Sequence, residues 1–224
     1  MRAHFDKELY DLTQQFENMF RAVVTSLEQS IIALTTQNIV LATNIIEYDK
    51  VINQQEIDIA ANCTRLIALQ QPVVKDLRVI VSFMKVSSDL ERMGDHARSI
   101  AKGVIRTTKH ASFEGVLPYL VEMSQRVIDM AKFARTAYLA KDEDKAKEIA
   151  LMDSKVDADL KKIGQYCRDM MKTDAKYVSN GAEYISMASH LERIADYVTN
   201  ICEHVVYIQT GELVELEDMC DTAQ

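Results

Sequence analysis

A seven-residue stretch that occurs twice is the feature that most constrains how this chain can fold. The copies are Leu90–His96 and Leu191–Tyr197, and each places a Glu and an Asp four residues apart, with an Arg directly after the Glu. Residues four apart on a helix lie on the same face, one above the other. Such a like-charge pair costs an isolated helix roughly 0.2–0.5 kcal/mol. A costly feature that appears twice requires a partner, which is either basic side chains or a cation.

The duplication extends well beyond this stretch. Cys63 aligns with Cys167 at a separation of 104 residues, and Glu91 aligns with Glu192 at a separation of 101. The difference falls where the first copy has Gln70-Gln71-Pro72, a turn signal that the second copy lacks. Turns tolerate insertions and deletions. The chain therefore reads as a tandem duplication of one structural unit.

Apolar residues recur every three or four positions over six long segments, which is the pattern of amphipathic helices. The chain has 6 Gly and 2 Pro, too few for a turn-rich all-β protein. Breaks fall near residues 35–38, 70–72, 107–112, 141–142 and 173–174, and Gly211 ends the last helix. We predict an all-α fold of six long antiparallel helices in two similar three-helix bundles, separate or merged into one body. The first repeat spans residues 1–110, the second spans residues 111–211, and residues 212–224 form an acidic tail.

Charge and apolar content exclude several classes of protein. The net charge is -8 and no basic block is present, so nucleic-acid binding is not expected. Residues 1–6 carry charge where a signal peptide has its apolar core. The apolar runs are far shorter than the ~20 residues of a spanning helix. We expect a cytoplasmic protein with no membrane insertion. None of the four cysteines forms a C-x-x-C pair, so buried thiols are expected at Cys63, Cys167, Cys202 and Cys220.

Two helices of each repeat carry oxygen-bearing side chains along one face. On the third helix, Asp95, Arg98 and Lys102 fall within ~40° of Glu91. We name two rows of candidate metal ligands. The first row is Asp49, Asn53 and Glu56 from the second helix with Glu91 and Asp95 from the third; the second row is Asp153 and Asp157 from the fifth helix with Glu192, Asp196 and Asn200 from the sixth.

The rows allow two interpretations. They are solvated faces of amphipathic helices, with Arg92, Arg98 and Lys102 neutralising the first row. Alternatively, neighbouring helices bring the carboxylates together as a shallow, exposed site for Mg, Ca, Mn or Fe, which prefer oxygen ligands. The second row should bind cations better, because Asp157 stands where the first copy has Asn53.

Motifs of catalysis are missing from the sequence. No His has a Glu three positions before it, so the Glu-x-x-His of ferritin-like di-iron bundles is absent. Walker A, Rossmann, His-Glu-x-x-His and Gly-x-Ser-x-Gly motifs are absent as well. We therefore predict no catalytic residue. His96, beside Asp95, is interpreted as an exposed histidine without a role, with metal ligation as the alternative.

At these motifs the chain resembles the PhoU family of bacterial phosphate-signalling regulators, from Phe5 to about Gly211. The matching pieces are Phe5-Asp6-Lys7-Glu8-Leu9, Gln71-Pro72 followed by Asp76-Leu77-Arg78, Leu90–Ala97, Leu191–Asp196 and Asn200-Ile201-Cys202-Glu203. The resemblance implies two three-helix bundles with surface metal clusters at Glu/Asp-x-x-x-Asp motifs, which match both rows here. Ser99 stands where the second copy has Asn200, a departure in the first row. The metal stays open among Fe, Zn, Mn, Mg and Ca.

The resemblance also implies a function. PhoU-like proteins are non-enzymatic negative regulators that lower phosphate uptake through a Pst-type ABC transporter. They act as adaptors to its ATPase subunit and to a PhoR-type sensor histidine kinase, and a homodimer is expected. Two alternatives stay open from the residues themselves. One is a metal-dependent enzyme or metal store built on carboxylate clusters, and the other is a plain interaction bundle whose rows are salt bridges.

Overall fold

The computed structural model describes residues 2–113 and 115–216, with side chains from His4 onward. This part of the chain forms seven α-helices, one 3-10 turn and no strand, so the all-α prediction is confirmed. The helices are α1 (Arg2–Thr36), α2 (Ile39–Gln70), α3 (Val74–Thr107), α4 (Leu117–Ala140), α5 (Glu143–Ala150), α6 (Asp153–Thr173) and α7 (Val178–Thr210), with the 3-10 turn at Ala175–Tyr177. Within the described ranges, no helix is both long enough and apolar enough to cross a membrane.

The prediction of one continuous fifth helix was wrong, because the backbone tightens between α5 and α6. The Met152 N–H donates to the Ile149 carbonyl at 2.9 Å, a bond to the third residue back rather than the fourth. The Ser154 hydroxyl donates to the Leu151 carbonyl at 3.2 Å, which competes with regular helix bonding. Asp153 is consequently the first residue of α6, where the helix dipole favours a carboxylate.

The predicted breaks end the helices through ordinary capping. The Asn38 side chain accepts from the Leu41 N–H at 2.9 Å at the start of α2. Asp142 accepts from the Lys145 N–H at 3.0 Å at the start of α5. Both are the side-chain caps that satisfy the unpaired N–H groups of a first turn. Gly211 ends α7 with φ +83, a left-handed conformation that glycine adopts without strain.

The helices form two three-helix bundles that merge into one body. One contains α1, α2 and α3, and the other contains α4, the α5–α6 pair and α7. The bundles meet where α3 packs along α7 and α1 packs against α4, and one apolar core runs through both. Arg106 pairs with Glu183 while Arg92 lies over Tyr197, so α3 and α7 run antiparallel. The division at residues 110 and 211 stays a prediction, and residues 217–224 of the predicted tail lie outside the described residues.

Aromatic rings join the bundles at the centre of the core. Phe16 of α1 lies 4.8 Å from the ring of Phe83 on α3 and 4.9 Å from the ring of Tyr138 on α4. The Tyr138 hydroxyl lies 2.8 Å from Ser82 Oγ, so the one polar atom of this ring is satisfied. Burying a Phe side chain stabilises a fold by about 1.5–3 kcal/mol. Contacts among these rings therefore help to hold the two bundles together.

The cysteines behave as small apolar residues. Cys63, Cys167 and Cys202 are buried, as predicted, and Cys220 lies outside the described residues. Burial raises the pKa of the Cys63 and Cys202 thiols to about 12 and that of Cys167 to about 11. A thiol with a raised pKa carries little thiolate, which is the reactive form. These three side chains therefore serve packing.

Candidate functional site

The structure brings the carboxylates of the first row together between α2 and α3. Burial raises the pKa of Glu91, and the negative charges of Asp95, Asp49 and Glu56 raise it further, in that order. These four side chains therefore lie near one another. Asn53 is half-buried on the same face of α2, and its Oδ1 has no hydrogen-bond partner among the described residues.

A guanidinium bridges two carboxylates of the first row. Arg98 donates from Nη1 to Asp49 Oδ2 at 2.7 Å and from Nη2 to Asp95 Oδ1 at 2.8 Å. Both distances are those of strong, charge-assisted hydrogen bonds. Neutralisation by basic side chains, one of the two interpretations of the sequence, is therefore the arrangement found in this row.

Asp49 is buried, so the expectation of a wholly shallow site was wrong for this residue. Its side chain is 3% exposed, whereas that of Asp95 is 41% exposed. Burial raises the pKa of Asp49, and the positive charge of Arg98 opposes the rise, with a smaller opposing effect from Lys102. A buried carboxylate is costly unless it is paired. Arg98 supplies that pairing.

The second row lies between α6 and α7. Burial raises the pKa of Glu192, and the negative charge of Asp157 adds to the rise, so these two side chains are neighbours. Asp153 lies one turn before Asp157 on α6, and Asp196 and Asn200 follow Glu192 at successive turns of α7. All five side chains are half-buried. The predicted members of this row thus lie on two neighbouring helices, with Asp157 and Glu192 close together across the contact.

The two rows fit a metal ion differently. Across residues 2–113 and 115–216, no three His, Cys, Asp or Glu side chains are already arranged around a common metal position. In the first row, Arg98 engages Asp49 and Asp95, so a metal does not fit unless the guanidinium leaves. The second row offers four carboxylates and an amide, a donor set that suits hard cations. Metal binding there stays a prediction.

Two segments of the chain, each with one row of candidate ligands, match a known protein family. Residues 16–104 and 120–205 match the PhoU domain, and these two segments together make up well over half of the chain. The chain belongs to the PhoU domain family. Each matched segment contains one complete row, so the resemblance noted from the motifs is confirmed at the level of the family.

Relatives of this PhoU-family protein match it over nearly its full length. It is 38% identical over 216 residues to the phosphate-specific transport system accessory protein PhoU homolog of Streptococcus pneumoniae, covering 96% of this chain and 100% of that protein. The crystal structure of the phosphate transport system regulatory protein PhoU from Streptococcus pneumoniae superimposes with a TM-score of 0.86 at 36% identity, covering 94% and 99% of the two chains. The crystal structure of PhoU from Pseudomonas aeruginosa superimposes with a TM-score of 0.89 at 31% identity, covering 93% of this chain and 100% of that chain.

A histidine pair between the repeats was not predicted. His96 Nδ1 of α3 lies 3.0 Å from His190 Nδ1 of α7, so one ring donates and the other accepts. The His96 ring also stacks on Tyr197, with centroids 5.8 Å apart. The interpretation of His96 as an exposed histidine was therefore wrong. Burial, then the positive charges of His190 and Arg193, lower the pKa of His96 to about 4, which keeps the ring neutral at pH 7.

The repeat itself held a signal for this contact. His96 and Tyr197 occupy the same position of the two motif copies. When an internal repeat packs its last helices antiparallel, equivalent positions near the crossing face each other. At one end of the same α3–α7 contact, Arg106 binds both carboxylate oxygens of Glu183 at 2.6 and 2.7 Å. Polar pairs therefore hold the two repeats in register.

Proposed function

We propose that this PhoU-family protein is a non-enzymatic accessory protein of phosphate transport that lowers phosphate uptake when phosphate is plentiful. The observation that carries the proposal is the match along 96% of the chain to a phosphate-specific transport system accessory protein, at 38% identity. A match of this length includes both repeats. The proposal therefore concerns the whole chain rather than one motif.

The protein acts as an adaptor in the cytoplasm. Its partners are the ATPase subunit of a Pst-type ABC phosphate transporter and a PhoR-type sensor histidine kinase, and it works as a homodimer. Through the kinase, it keeps the phosphate-starvation response off. The net charge of -8 supports docking on basic partner surfaces, because opposite charge speeds and orients association.

The second row holds a divalent or trivalent cation, from among Fe, Mn, Mg, Ca and Zn. Its half-buried carboxylates support this proposal, because the pKa of Glu192 is already raised by burial and by Asp157. A bound cation neutralises that repulsion and ties α6 to α7. The protein surface that a partner meets would then differ between the metal-loaded and metal-free states.

Deletion of the gene in the source bacterium tests the regulatory proposal. Phosphate uptake and a starvation-response reporter are measured in phosphate-rich medium, with and without the intact gene. Both outputs should rise on deletion and return to normal when the gene is restored. Unchanged outputs in a strain that has no second copy would refute the proposal.

Two variants, one within the second row and one outside it, test whether the row is needed for regulation. Asp157→Asn combined with Glu192→Gln removes two charges from the row, and it should fail to restore repression in the deletion strain. Glu148→Gln removes one charge from an exposed position of α5, and it should restore repression fully. Equal rescue by both would show that regulation does not need the row.

A further inference from the structure

The alignment of the two repeats shows a basic side chain beside the first row at a position where the second repeat has a neutral one. Arg98 aligns with Thr199, and the next residues, Ser99 and Asn200, also align. The repeats thus share their motif carboxylates but differ directly beside them. A guanidinium stands at this position in the first repeat and a hydroxyl stands there in the second.

The same difference continues one turn along the helix. Lys102 of α3 aligns with Glu203 of α7, and Lys102 lies close enough to Asp49 to act on its charge. The first repeat therefore carries two positive side chains along its row. The aligned positions of the second repeat carry a neutral side chain and a negative one.

We propose that Arg98 is a built-in cation of the first row, which takes the place of a metal ion between Asp49 and Asp95 and confines metal binding to the second repeat. This inference deepens the proposed function and rests on its metal site. The guanidinium reaches one oxygen of each carboxylate, at 2.7 and 2.8 Å, and it arrives from the same helix as Asp95.

A metal ion cannot share this position with Arg98. A metal ion between Asp49 and Asp95 would compete with Arg98 for Asp49 Oδ2 and Asp95 Oδ1, and the two cations would lie side by side. Asp49 is 3% exposed, so displacement of Arg98 would leave a buried carboxylate without its positive partner. Asp49 Oδ1 and Asn53 Oδ1 have no hydrogen-bond partner among the described residues. Removing Arg98 would therefore open a vacant set of oxygen ligands.

Equilibrium dialysis of the full chain against Mn²⁺, read by elemental mass spectrometry, tests the inference. All key variants are made in the background Asp157→Asn with Glu192→Gln, which disables the second row. In this background, we expect no bound Mn²⁺. Adding Arg98→Thr with Ser99→Asn gives the first repeat the side chains of the second repeat at these two positions, and this variant should bind Mn²⁺. Ser99→Asn alone keeps the guanidinium and is the matched control, expected to stay metal-free.

Thermal unfolding supplies a second readout. In chelator, Arg98→Thr with Ser99→Asn should lower Tm by about 10 °C, since a buried carboxylate loses its partner. Mn²⁺ should recover part of that loss in this variant and change nothing in the Ser99→Asn control. If the Thr variant loses helical content by circular dichroism, Arg98→Gln with Ser99→Asn replaces it, because Gln still donates to Asp49 without a charge.

The outcomes separate this inference from the metal site on which it rests. If the background variant still binds Mn²⁺, and Asp49→Asn removes it, then Arg98 does not exclude metal and the inference is overturned. Failure of the folded Arg98 variants to bind Mn²⁺ overturns it as well. If wild type binds none but the Arg98→Thr variant does, the role of Arg98 stands and the second-row metal site is refuted.

Discussion

Replacing His96 by Gln should remove a specific part of the acid sensitivity of this protein. The imidazole is desolvated between α3 and α7 and faces His190 and Arg193, so its pKa falls from the ordinary 6.5 to about 4. Between these two values, the unfolded chain binds a proton that the folded protein refuses. The stability contributed by this group is therefore full above pH 6.5 and is lost as the pH falls toward 4.

The size of the effect follows from the two pKa values. Without solvent screening, the difference in the pKa of His96 between the unfolded and folded states would lower the free energy of unfolding by about 2 kcal/mol at pH 5 and by about 3.4 kcal/mol well below pH 4. The ring is only half-buried, so solvent screening should reduce the value at pH 5 to about 1 kcal/mol. In chelator, the free energy of unfolding of wild type relative to His96→Gln should fall by this amount between pH 7.5 and pH 5.

Comparison with a variant is necessary because other groups act in the opposite direction. Burial raises the pKa of Asp89 to about 6, so the folded state gains a proton more readily and Asp89 adds stability as the pH falls. This contribution cancels in the difference between wild type and His96→Gln. Tyr197→Phe, which keeps the ring that stacks on His96, is the control and should run parallel to wild type. If the free energy of unfolding of His96→Gln also changes with pH in parallel with that of wild type, the argument is refuted.

Three further substitutions test contacts within the fold, each by urea denaturation. Asn180→Ala should lower the free energy of unfolding by about 2 kcal/mol, since the buried amide donates to the Thr107 and His110 carbonyls at and just after the end of α3. No measurable loss would mean that water replaces the amide. Tyr138→Phe removes the bond to Ser82 and should cost about 1 kcal/mol. No loss would show that the hydroxyl pair contributes nothing to joining the bundles. Gly211→Ala should cost about 1 kcal/mol, because φ is +83 and the new methyl meets Arg78. A neutral result would mean that α7 ends differently.

The sequence by itself determined the helices and their apolar faces, apart from the break between α5 and α6. Apolar residues at every third or fourth position define a buried stripe regardless of what packs against it. Asn38 and Asp142, at two of the breaks, cap helices through hydrogen bonds to backbone N–H groups only three residues away. The duplication was equally visible, because it needs only an alignment of the chain with itself. These features are local or internal to the sequence, so they do not depend on the docking of one helix on another.

Tertiary structure decided which side chains meet. The helical period places Arg98 on the face of Glu91 and Asp95, but only the packing of α2 against α3 brings buried Asp49 within 2.7 Å of its guanidinium. The contact of His96 with His190 likewise exists because α3 and α7 dock antiparallel. Periodicity determines the direction in which a side chain leaves its own helix. The identity, distance and burial of its partner depend on another helix, far away in sequence, and on the register in which the two helices pack.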